Sequence, residues 1–154
     1  DTINDHAYDD AWIPDMLAGK TMKEVGEDAY TGDLLGDDPL GNFARYADRA
    51  VVSIEQITDL DQIVHCSFGD YSTRDYLYQV ANFRGMRAHD VAKVIGVSTE
   101  LPPDLVSGLY DMILPFAEEW RTIGVFGPKV EVAEDAPLQD KLLGLTGRQP
   151  DHRS

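Results

Sequence analysis

Two arginines interrupt an apolar pattern in this chain. Between Thr73 and Ile95, the residues Leu77, Ala81, Ala88, Val91 and Ile95 recur at spacings of three and four, which describes one buried stripe of a helix. Arg84 falls inside that stripe and Arg87 sits beside it. A guanidinium cannot shed its charge, so burying one requires an anion opposite it. Two chemistries satisfy that demand. One is an ion-pair network that fixes helix register, with Asp5, Asp9 and Asp10 as counter-charges. The other is a pocket for a small carboxylate-bearing ligand. His89 could assist there as acid or base, or could be a partly exposed histidine near the negative end of the helix dipole. His6 and Asp10 are four apart and share a helix face, as two metal ligands would. The plainer reading of that pair is a solvated or hydrogen-bonded helix surface.

Other groups are less suited to chemistry. His65 and Cys66 are adjacent on a β-prone segment, so their side chains point to opposite faces and cannot form a nucleophile pair. Cys66 is the one cysteine, which excludes an internal disulfide and a thiolate metal cluster. The glycines from Gly36 to Gly41 lack the spacing and the lysine of a phosphate loop. Phe43, Phe116 and Trp120 fall at core positions.

The 154 residues suit one domain, 1–154, with one core. A formal charge of −15 repels phosphates, which argues against nucleic acid and against anionic membranes as partners. No apolar run approaches the roughly 18 residues that span a bilayer, and no signal segment opens the chain, so a cytoplasmic location is expected. The sequence starts at Asp1 inside a predicted helix, as a fragment would.

The elements that must position these residues are helical. The first covers 1–18, with Ile3, Ala7, Pro14 and Leu17 on one face, a break or kink near Ile13 caused by Pro14, and a stop at Gly19. Thr21 with Glu24 has the form of a capping box. A Gly- and Asp-rich loop spans 27–38. Asp38-Pro39 then opens a second long helix, with Leu40, Phe43, Ala47, Ala50, Val51 and Ile54 on its apolar face. Residues 63–68 are extended, Gly69-Asp70 is a turn, and Ser72 with Asp75 caps the arginine-bearing helix, which ends at Gly96. Leu101-Pro102-Pro103-Asp104 starts a fourth long helix with Leu105, Leu109, Met112, Ile113, Phe116 and Trp120 inward; Pro115 kinks it and Gly124 ends it. A small helix at 136–145 closes at Gly147, and the tail 148–154 is frayed. Four amphipathic helices predict an all-α antiparallel bundle with a short extended segment and a small C-terminal helix.

Several stretches carry recognisable wording. Arg87-Ala88-His89-Asp90-Val91-Ala92-Lys93-Val94-Ile95-Gly96 resembles a helix end of the form HGWDLARATG. Gly124-Val125-Phe126-Gly127-Pro128-Lys129-Val130-Glu131-Val132-Ala133-Glu134-Asp135-Ala136-Pro137 looks like the turn before the last helix of the same family, and Leu142-Leu143-Gly144-Leu145-Thr146-Gly147-Arg148 like its closing motif. Trp12-Ile13-Pro14-Asp15-Met16-Leu17-Ala18-Gly19 and Gly32-Asp33-Leu34-Leu35-Gly36-Asp37-Asp38-Pro39 also fit. Together they resemble the mycothiol-dependent maleylpyruvate isomerase-like branch of the actinobacterial DinB/YfiT-like proteins. The resemblance implies a DinB-like four-helix bundle over nearly the whole chain, with the family's first helix missing. It also implies a divalent metal such as zinc or nickel, with mycothiol as thiol cofactor. The metal-binding members use one early histidine and a later acidic-x-x-x-His pair.

The chain departs from that ligand pattern. Aligned on Asp90 and Gly96, the later histidine position is Arg87 and the acidic position is Phe83. Aligned on Trp12, the early position is Asp5, with His6 next to it. The expectation is therefore a bundle with a degenerate metal site that binds a small anionic ligand or a protein partner through Arg84, Arg87, Asp5, Asp9 and His89. The alternative is a metal-dependent mycothiol S-transferase or isomerase, with His6, Asp10 and further histidines, His65 or His89, converging on the ion. An apolar groove left by the missing helix would be covered by a second copy, giving a homodimer.

Overall fold

The computed structural model describes residues 2–150 of the protein. The chain is mostly helical, with one two-stranded sheet. Its contacts divide into two compact units, Asp1–Leu77 and Tyr78–Ser154.

The first unit holds α1 (Thr2–Leu17), α2 (Met22–Val25), α3 (Pro39–Glu55), the hairpin β1 (Ile63–Cys66) and β2 (Gly69–Ser72), and the start of α4 (Thr73–Ile95). Helix α1 does not break at Pro14. It runs on to Leu17, and the Ala18 amide returns to the Pro14 carbonyl at 3.0 Å. Its buried face also differs from the expected one. His6, Ala7, Asp10, Ala11, Trp12, Ile13 and Met16 are buried, while Ile3 is exposed. Asp1 lies outside the described residues.

The capping signals form as the sequence predicts. Thr21 and Glu24 close a reciprocal capping box. Asp38 accepts from the Gly41 amide at 3.1 Å, and Ser72 accepts from the Asp75 amide at 3.1 Å. The β1–β2 strands pair antiparallel, with His65 opposite Asp70 and Cys66 opposite Gly69.

Helices α1 and α3 pack on each other and run in the same direction, not antiparallel. Asn4 near the start of α1 donates to the Gly32 carbonyl and accepts from the Leu34 amide, both at 2.9 Å. Asn42 in the first turn of α3 donates to the Leu35 carbonyl at 2.8 Å. At the other end, Pro14 and Leu17 share a cleft with Ser53 and Gln56. The long 18–38 connection makes this possible, because it returns the chain along α1: Tyr30 stacks edge-on against Trp12 and donates to Asp15 at 2.6 Å. Only Ala50 of the expected α3 face is buried, and Leu40 is 85% exposed. The contact with α1 covers one narrow line of α3 and leaves the rest of its apolar stripe open.

The second unit contains the rest of α4, then α5 (Pro103–Ile113), a 3₁₀ turn (Leu114–Phe116), α6 (Ala117–Thr122) and α7 (Leu138–Leu145). Pro115 divides the expected fourth helix at the 3₁₀ turn. Met86, Leu101, Val106, Leu109, Ile113, Ala117, Phe126, Leu142 and Leu145 form its core. Gln139 ties the loop before α5 to α7: its carbonyl accepts from the Leu101 amide and its amide donates to the Thr99 carbonyl, both at 2.9 Å.

Segment 127–132 lies directly against α7. A Cβ on Gly144 would stand 2.5 Å from the Val130 carbonyl oxygen, and one on Gly147 would stand 2.8 Å from the Gly127 backbone. The Val130 amide donates to the Gly144 carbonyl at 3.0 Å. Arg121 clamps the same region by donating to the carbonyls of Gly127 and Leu145. The part of the expected frayed tail beyond residue 150 lies outside the described residues.

Candidate functional site

On α4 the buried residues of the second unit are Asn82, Gly85, Met86 and His89; of the expected stripe, Ala81 packs partly buried against the core, Val91 is half-buried, and Ala88 and Ile95 are exposed. Gly85 explains the phase. A side chain there would meet Leu109 of α5 at 2.5 Å, so α5 seats on the one position that has none. Arg84 and Arg87 are half-buried at the margin of this face.

With roughly 100° of turn per helical residue, Arg84 and Arg87 lie within about 60° of each other. His89 lies roughly 140–160° away from both on the same measure. The structure therefore keeps the two arginines together and directs His89 elsewhere. The Arg87 guanidinium lies over the Phe83 ring, 5.5 Å from its centroid, and Phe83 is 52% exposed. Those are the two positions where the resemblance expects a metal-ligand pair.

His89 is not a partly exposed helix-end residue; it is 1% exposed. Its Nδ1 faces Asp90 Oδ1 at 3.3 Å. Asp90 is in turn gripped by Arg148, with Nε at 2.9 Å from Oδ1 and Nη2 at 2.8 Å from Oδ2. Burial alone would raise the Asp90 carboxyl; hydrogen bonds and charge from Arg148, with His89, outweigh it and hold the group below its ordinary value. Such a clamped carboxylate orients an imidazole through Nδ1.

On α1, His6 and Asp10 are both buried and one turn apart, which excludes a solvated surface. Asp5 and Asp9 are exposed, so of the three expected counter-charges only Asp10 is buried. His65 pairs across the hairpin with Asp70, Nδ1 to Oδ1 at 2.8 Å. Burial, with Asp70 nearby, pushes the Cys66 thiol up, so it stays protonated at neutral pH and is a poor nucleophile. Among the described residues, no three His, Cys, Asp or Glu side chains converge as a metal-ligand set.

Two groups escaped the reading of the sequence. Asn82 is 5% exposed and its Oδ1 has no hydrogen-bond partner among the described residues; it stands at i, i+4 and i+7 spacing with Met86 and His89, a periodicity visible in the sequence. The Asp90–Arg148 pair joins two motifs 58 residues apart, which no local pattern announces.

No family model, curated protein or solved structure matches the chain. No described helix is long and apolar enough to cross a membrane.

Proposed function

We propose that this chain is a DinB-like four-helix-bundle protein of the mycothiol-dependent maleylpyruvate isomerase-like branch, with a degenerate metal site, that binds a small anionic ligand in the cytoplasm. The observation that carries the reading is the Arg87–Phe83 stack. A guanidinium over a half-exposed aromatic ring offers a charged fork for a carboxylate and an apolar face for the stem attached to it. Arg84, close to Arg87 around the helix, supplies a second cation on the same side. His89 plays no direct part in this contact, because it projects to the other side of α4.

Titration with maleate, followed by amide chemical shifts, tests the reading. Saturable shifts should centre on Phe83, Arg84 and Arg87. Arg87→Ala should weaken binding about tenfold, the loss of about 1.4 kcal/mol expected for a charge-assisted contact. One equivalent of zinc or nickel in protein purified without chelator would sink the proposal.

A second reading, a metal-dependent mycothiol S-transferase or isomerase, draws support from the burial of His6 and Asp10 one turn apart. It requires His6→Ala to lower metal content. The exposed α3 stripe, with Leu40, Val51 and Val52, supports a homodimer.

A further inference from the structure

We infer that the cleft at the shared end of α1 and α3 is a binding site for a small organic cation, a primary ammonium on a short aliphatic stem. The cleft has a volume of about 240 Å³. That is just under the roughly 300 Å³ at which ordinary ligand pockets begin, so it suits a molecule of a few heavy atoms. Pro14, Leu17 and Ile57 give it apolar walls, and Ser53, Gln56 and Asp59 supply polar groups.

The charge of the site follows from helix direction. An antiparallel pair would put one positive and one negative end here. Because α1 and α3 run parallel, both negative ends meet, each carrying roughly half an elementary charge. Helices commonly relieve that charge with Lys, Arg or His in the last turn. Neither α1 nor α3 has a basic residue there. Lys20, just past α1, is held by Asp15 at 2.7 Å and does not line the cleft. Asp59 is the one ionisable side chain among the lining residues, and it adds a full negative charge.

The N-terminus of α4 also reaches the cleft, through Thr73, and its positive end would oppose a cation. Its first amides are already covered: Thr73 donates to the Gln62 carbonyl at 2.8 Å and Arg74 to the Leu60 carbonyl at 2.9 Å. The balance is an electronegative, partly apolar recess. The last carbonyls of α1 are covered too, the Leu17 carbonyl by Gln62 at 3.1 Å and that of Met16 by the Gly19 amide at 3.0 Å, so an ammonium group would sit near Asp59 and the end of α3, with its alkyl stem against Pro14 and Ile57. This site lies within the first unit and uses neither Arg84 nor Arg87, so it stands or falls separately from the anion reading.

Amide chemical shifts during titration with n-butylammonium chloride test it, with sodium chloride at equal ionic strength as reference. Saturable shifts should be confined to residues lining the cleft. Asp59→Asn should weaken binding at least about fivefold, and Ser53→Leu, which fills the space, should remove it. Asp135→Asn, on a loop of the second unit, should change nothing. Shifts matched by sodium chloride, or unaffected by Asp59→Asn, would mean diffuse attraction to an acidic surface and would overturn the proposal. If Ser53→Leu fails to fold, the Asp59→Asn comparison decides alone.

Discussion

Asp90 receives three hydrogen bonds from Arg148 and also faces His89. Because its carboxyl is held below its ordinary value, the pair stabilises the fold above the unfolded value near 4, and that contribution disappears as pH falls through the lowered folded value. The Asp90 side chain is still 45% exposed, so solvent screening limits the gain to about 0.5–1 kcal/mol. Asp90→Asn should therefore lower the melting temperature at pH 7, and its gap from the parent should close below about pH 4. A gap that stays constant down to pH 2 would show that the ion pair is not its source. Individual residues were unevenly legible. The inertness of the His65–Cys66 pair follows from strand alternation alone. The burial of His89 does not, because it depends on which face of α4 meets α5.

Among elements, helix ends were the most legible part of the fold. The stops at Gly19, Gly96, Gly124 and Gly147 all form the same motif, in which the residue after the glycine donates to the carbonyl five positions back. Gly96 and Gly147 separate two reasons for glycine. Both have positive φ, 74° and 80°, but a Cβ on Gly96 meets nothing within 4 Å while one on Gly147 strikes the Gly127 backbone. Gly96→Ala should cost about 1 kcal/mol, the left-handed backbone penalty alone. Gly147→Ala should cost about 2–4 kcal/mol, because overpacking adds to that penalty. Urea midpoints measure both, and equal losses would refute the argument. Helix faces were less legible than helix ends. The α4 stripe of small and β-branched residues fitted the 3.6 period, yet the seating of Leu109 on Gly85 rotated the buried arc away from it.

At the scale of the whole molecule, the proposed homodimer would use the exposed apolar side of α3, with Leu40 and Val51. Light scattering should report a dimer at micromolar concentration, and Val51→Glu should shift it to monomer while leaving helical circular dichroism unchanged. A parent protein that is monomeric at that concentration would end the idea. The direction of α3 was not legible. Amphipathic periodicity says that a helix has an inner face, but it is silent on whether neighbours run parallel or antiparallel. Here the long 18–38 connection, pinned by Asn4, Trp12 and Asp15, sets it.

By itself the sequence determined the helical class, the positions where most helices start and stop, the impossibility of an internal disulfide and a net charge of −15. These rest on local backbone chemistry and on composition, which a sequence carries in full. Tertiary structure decided the rest: that His89 is buried, that Asp90 is gripped by Arg148, and that α1 and α3 bring like dipole ends to one cleft. Each of these depends on contacts between segments far apart in the chain, and their geometry is fixed only when side chains such as Leu109 and Tyr30 find their seats.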